Sequence, residues 1–290
     1  MLNMAEQTAL SLVDVATLQL YQQMLASPRH GPFIAAVNAQ MAAPQPVGVP
    51  ADLRLVIVPG AFYQYLPRSG ADGHLVKRQA RRQGWTIDTL PTDGTGSVIG
   101  NARIICDWLK AQTGSRLVLV SVSKGSADLK LALQQADVGR AFERVVAWVN
   151  LCGMLDGTPL IDWLLSWNIE AAFNRLYLQM KGASFDFVND LRREPGGVLD
   201  SALALPPHLS LISLVGFPQR QHIPTGTGRR CHDRLASYGP NDGVLLLNDV
   251  CALPGRLYPI WGADHLLRGQ APIEPLLAAV LACLARELAV

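Results

Sequence analysis

Long apolar runs are missing from this chain. No stretch approaches the roughly 18 to 20 uninterrupted apolar residues that a membrane-spanning helix needs, so no such span is expected. Charge is sparse as well, at 17% of residues with a net charge of +2. That leaves no basic footprint for nucleic acid, and no run of like charges marks a solvated tail. The first dozen residues carry no basic segment ahead of their apolar part, so a signal peptide is not expected. Cysteine is limited to Cys106, Cys152, Cys231, Cys251 and Cys283, an odd number, widely scattered and without a C-x-x-C. Reduced thiols and a cytoplasmic location follow as the expectation, in place of a disulfide framework. No internal repeat is present. What the chain does have is 290 residues that are 49% hydrophobic, enough for one large core domain with room for an insertion.

Apolar β-type runs alternate with helical patterns along most of the length. Strands are expected at 53–59, 86–92, 117–121, 145–151, 209–217 and 256–261. Helices are expected at 76–83, 98–112 (with Ser97 as N-cap), 127–135 and 275–290. Strands apolar throughout and interleaved with helices predict a parallel sheet covered on both faces. Residues 1–50 read as an N-terminal helical segment followed by a Pro/Ala-rich linker. Residues 156–206 break the rhythm, being rich in large apolar side chains and without a clear strand. The core is therefore assigned to 51–155 and 207–290, with 156–206 as a helical insertion. Trp163 and Trp167 lie four positions apart, on one helix face.

One stretch carries chemistry. Leu117–Val122 is apolar and β-like apart from Ser121, then Ser123-Lys124-Gly125 turns the chain into a helical pattern. The pattern is small-x-Ser-x-Gly in a strand–turn–helix context, with Ser121 and Gly125 at the two positions where only small side chains fit. It resembles the G-x-S-x-G nucleophile elbow of the α/β-hydrolase superfamily, with Ser121 in place of the first glycine. The resemblance implies an α/β-hydrolase fold: a mostly parallel sheet with helices on both faces and 156–206 as a cap. It also implies a serine that attacks a carbonyl, a histidine base and an acid that orients it, in the chain order Ser, acid, His. His265, directly after the last predicted strand, takes the base position. Asp242, in Pro240-Asn241-Asp242-Gly243, resembles the family's aspartate turn, with Asp156 as the competing acid. The turn Pro59-Gly60-Ala61-Phe62 resembles the H-G-x turn of lipases, with Pro59 in the histidine's place. The oxyanion donors implied are the backbone N–H groups of Lys124 and Ala61, with Phe62 a second candidate beside Ala61.

The activity implied is hydrolysis of an ester or thioester of an apolar acyl or aryl group through an acyl-enzyme. Phe62, Trp163 and Trp167 would contact that small-molecule substrate. No cofactor or metal is called for. Gly94-Thr95-Gly96-Ser97-Val98-Ile99-Gly100 fits G-x-G-x-x-x-G and lacks the acid that a dinucleotide site needs after the next strand, so it reads as a turn before a helix. His222, Cys231, His232 and Asp233 match no zinc spacing and read as a polar loop near the site. Two other outcomes stay open: an acyltransferase with the same triad, and a non-catalytic protein of this fold that binds a ligand or partner.

Overall fold

A computed structural model of the chain describes residues 4–66, 69–165 and 186–289. Six strands form one sheet: β1 (Leu53–Val58), β2 (Thr86–Thr89), β3 (Arg116–Val122), β4 (Val145–Leu151), β5 (Ser210–Phe217) and β6 (Arg256–Trp261). All pairings are parallel, in the order β2-β1-β3-β4-β5-β6. β3 shows how such a sheet is buried. Leu117 and Leu119 enter the core on one face, and Val118 and Val120 enter the core on the other. A strand apolar at every position needs cover on both sides, and the helices supply it.

On the first face lie α4 (Val98–Lys110) and α5 (Lys124–Ala132); on the second lie α2 (Gly31–Ala42), α3 (His74–Arg82) and α11 (Ile273–Leu288). Around these sit α1 (Met4–Ala26), α6 (Val138–Ala141), α7 (Leu160–Leu165), α8 (Asp186–Asp190), α9 (Gly226–Leu235) and α10 (Leu247–Ala252). Local chemistry sets several boundaries. Ser97 caps α4 by accepting the N–H of Gly100 at 3.0 Å. β2 stops short of the expected 92, because Pro91 has no N–H to continue the ladder. α5 starts three residues earlier than expected, because the turn at Ser123 is so abrupt that the helix begins with the next residue.

The N-terminal helices are part of this packing. Tyr21 of α1 packs edge-on against Phe217 and at a tilt against Trp261, with ring centroids 5.8 and 4.9 Å apart. His30 accepts the N–H of Leu257 on its Nδ1 at 3.1 Å, which occupies a donor on the sheet's edge strand β6. Asn38 of α2 accepts a 2.6 Å bond from the Tyr258 hydroxyl, and Gln40 accepts one from Arg286 of α11 at 3.0 Å. Residues 43–50 run without helix or strand.

Two features place a site. The sheet's strand order reverses between β1 and β3, so the connections leaving their carboxyl ends diverge and open a crevice there. Pro59-Gly60-Ala61-Phe62 leaves β1 at that crevice, and Ser123 leaves β3.

Candidate active site

Ser123 sits at φ 50°, ψ −115°, a conformation that costs a non-glycine residue about 1–3 kcal/mol. The surroundings hold it there: its N–H donates to Leu151 O at 3.0 Å, and its carbonyl accepts from Ser126 and Met154 at 3.0 and 3.1 Å. The close quarters explain the small neighbours. A Cβ on Gly125 would lie 2.5 Å from the carbonyl oxygens of both Val58 and Pro59, and one on Gly60 would lie 2.8 Å from Val122 O. Ser121 is more than a small residue. Its hydroxyl accepts a 2.7 Å bond from the buried Trp148 indole and pairs with Ser126 Oγ at 2.7 Å.

The three residues expected to form a triad are brought together. Ser123 Oγ lies 2.9 Å from His265 Nε2, and His265 Nδ1 lies 2.9 Å from Asp242 Oδ2. Asp242 is fully buried and His265 nearly so. The other Asp242 oxygen accepts the N–H groups of Val244 and Leu245 at 2.9 and 2.7 Å. His265 N–H donates to Asp242 O at 2.9 Å, so backbone and side chain both tie the histidine loop to the aspartate turn. Asn241 braces that turn, accepting from Gly243 N–H at 3.0 Å and donating to the carbonyls of His232 and Gly239. Asp156 faces elsewhere: it accepts a 2.7 Å bond from the buried ammonium of Lys130.

Among the described residues, no acceptor is paired with the N–H of Lys124 or of Ala61. The Phe62 N–H is occupied by Gly94 O at 3.1 Å, which separates the two candidates of the β1 turn. Phe62 itself has φ 59° and forms a wall of a cavity of about 280 Å³ beside Ser123 and His265. Its other walls are largely aliphatic and include Leu75, Val76, Leu267 and Leu277. Trp167 lies outside the described residues. Trp163 stacks against the Arg234 guanidinium at 4.3 Å and is not among the walls of this cavity. Among the described residues of 156–206, Phe187 meets Phe62 edge-on, with ring centroids 5.3 Å apart.

Sequence reasoning missed two groups. Cys152, the residue after β4, lines the cavity at φ 46°. Burial pushes its thiol well above the usual range, reinforced by the Asp242 charge. The signal available was its position: one residue past a strand adjacent to the elbow strand. Cys152, Asp242 and His265 are the one group of potential metal donors found among the described residues. Both Asp242 oxygens and the facing histidine nitrogen are already committed to each other and to backbone N–H groups. The second missed group is the Lys124 side chain. It is completely buried and bonded to both Asp128 oxygens, at 2.8 and 2.9 Å. Cys231, His232 and Asp233 do not form a loop but lie on α9, started by a Thr225 cap. There His232 is fully buried and Asp233 grips Arg220 with both oxygens.

No protein-family model matches the chain, and no curated protein matches it. Solved structures do. The chain is similar to a metagenomic carboxyl esterase at 23% identity, over 84% of this chain and 79% of that one, with a TM-score of 0.64. It is similar to the mature form of a Bacillus licheniformis lipase at 21% identity, over 77% and 89%, with a TM-score of 0.56. Lipase 1 from Pelosinus fermentans follows at 11% identity, over 82% and 98%, with a TM-score of 0.51. With the parallel sheet and the strained serine at the end of β3, these likenesses identify the α/β-hydrolase fold. No helix among the described residues is long and apolar enough to cross a membrane.

Proposed function

We propose that the protein is a carboxylic ester hydrolase that works through an acyl-enzyme on Ser123. The single observation that carries the reading is the unbroken relay from Ser123 Oγ through His265 to the buried Asp242, at 2.9 Å per step. A relay of this kind lets His265 Nε2 take the serine proton as Oγ attacks the ester carbonyl, while Asp242 stabilises the resulting imidazolium. The tetrahedral oxyanion is received by the N–H groups of Lys124 and Ala61. His265 then returns the proton to the leaving alcohol, and a water activated by the same nitrogen releases the acid. The named activities of the esterase and lipases of like fold agree with this chemistry.

The aliphatic cavity beside Ser123 favours an apolar acyl group, with Phe62 as one of its contacts. Phe187, which belongs to the 156–206 insertion, packs against Phe62 at the edge of the site, which supports reading that insertion as a cap. A fluorophosphonate probe should label the wild-type protein and not Ser123→Ala, and p-nitrophenyl esters should be turned over only by the former. Labelling that survives Ser123→Ala would end the proposal. An intact fold with neither labelling nor turnover would mean a binding protein on a hydrolase scaffold.

A further inference from the structure

Lysine is a costly residue to bury, and an ion pair hidden in a core gives little net stability over an apolar pair of the same volume. Lys124 is nevertheless fully buried immediately after Ser123, and its partner Asp128, one turn along α5, is 1% exposed. The bonds do not stop there. Asp128 Oδ2 accepts from Asn101 Nδ2 on α4 at 2.9 Å. Asn101 also binds the backbone of Asp93 twice, donating to its carbonyl at 2.8 Å and accepting its N–H at 2.9 Å. The next residue, Gly94, accepts the Phe62 N–H at 3.1 Å and donates its own N–H to Gln64 Oε1 at 3.1 Å. A side chain on Gly94 would stand 2.5 Å from Gln64 Oε1 and 3.1 Å from Phe62 N. The first glycine of the Gly94–Gly100 motif is thus where two loops touch backbone to backbone.

The path begins at Lys124 and ends at Phe62, the neighbour of Ala61. Lys124 carries one of the two N–H groups that the proposed reaction uses for its oxyanion, and Phe62 follows the residue that carries the other. A second contact spans the same gap: the Phe187 ring meets Phe62 at 5.3 Å and lies 5.5 Å from the Lys124 ammonium. Three residues on, Asp190 accepts the N–H of Val98 at 2.8 Å, at the start of the helix that carries Asn101.

We infer that Asn101, Asp128 and Phe187 are positioning residues that hold the Lys124 and Ala61 donors at a fixed separation, so that α8 sets the geometry of the oxyanion site. This rests on the esterase reading above. A donor displaced by about 1 Å costs catalysis as much as 10²-fold while leaving ground-state binding in place. Asn101→Ala should therefore lower kcat roughly 10- to 100-fold with KM changed less than about threefold. Affinity for an alkylboronic acid, which forms a tetrahedral adduct on the serine, should fall in parallel. Phe187→Leu keeps the core filled while removing the ring, and should move both quantities in the same direction. Phe187→Tyr should restore them. Phe187→Leu decides the matter if Asn101→Ala does not fold.

If the folded variants keep kcat and boronate affinity within about twofold of wild type, the network is core packing only and the inference is overturned. A loss of kcat without loss of boronate affinity overturns it too. Ser123→Ala, measured alongside, separates this from the parent reading. An inactive Ser123→Ala with wild-type-like Asn101 and Phe187 variants rejects the positioning role alone, whereas an active Ser123→Ala rejects both.

Discussion

At Ser123 the backbone, the hydroxyl and the histidine are each held by a separate set of contacts, so side-chain changes there should act on chemistry more than on folding. Ser123→Ala and His265→Ala are each expected to lower kcat by up to about 10⁶-fold, as for other serine triads, with melting temperatures close to wild type. A loss under tenfold in either would rule out the assigned roles. Asp242→Asn should cost about 10⁴-fold, because an amide cannot stabilise the imidazolium or hold the same tautomer. Asp156→Asn should leave turnover largely intact while lowering stability, since it weakens the partner of the buried Lys130. The reverse ranking in an ester assay would move the acid to the loop after β4.

Asp128 makes a second prediction at this scale. Burial pushes its carboxyl from 3.8 up to about 6, while Lys124 and Asn101 favour the ionised form and Asp190 opposes it. The native state thus binds this proton more tightly than the unfolded chain does. Its contribution to stability is full below about pH 4 and is lost as pH rises towards 6. Asp128→Asn should remove that part of the slope when urea stability is followed from pH 4 to 6. An unchanged slope would show that Asp128 does not titrate in this range.

Elements differ in how far they could be read from sequence. The strands were plain because an all-apolar run of six to eight residues between turn signals has few other solutions, and β4 and β6 fall on the expected residues. The elbow, Asp242 and His265 were legible because each sits at the end of a strand or in a Gly-bearing turn. The Lys124–Asp128–Asn101 network was not. Its members come from two helices, and a lysine on a helix normally reads as exposed. Nor could sequence show that Ser121 is a bond acceptor for Trp148, because that depends on the register of β3 against β4. Gly125 tests the contact of α5 with β1. Gly125→Ala would force its methyl against two backbone carbonyls, an overpacking that costs about 1–3 kcal/mol. Thermal melts should show the loss, and ester turnover should fall with it because Ser123 moves. A melt and a turnover matching wild type would mean that the helix can shift freely.

Taken as one object, the molecule should select its substrate by length. The cavity of about 280 Å³ holds about nine water-sized groups at ~30 Å³ each. Each buried methylene is worth about 0.8 kcal/mol, so kcat/KM should rise roughly three- to fourfold per acyl carbon and level off near eight or nine. Val76→Phe, which places a ring in the cavity wall, should move that limit to shorter chains while sparing acetate esters. A flat profile, or equal losses at every length, would mean that the acyl group does not enter this cavity.

The contacts between α2 and the last elements have a consequence for the order in which the protein is made. Asn38 and Gln40 find their partners at Tyr258 and Arg286, more than two hundred residues later. At about 5–20 residues per second, Asn38 and Gln40 leave the ribosome about 10 to 50 seconds before Tyr258 and Arg286 are made. Until β6 and α11 emerge, Phe33 and Val37 of the native core remain uncovered. During that interval the apolar face of α2 is open to capture by chaperones, and it docks only after β6 and α11 have been made.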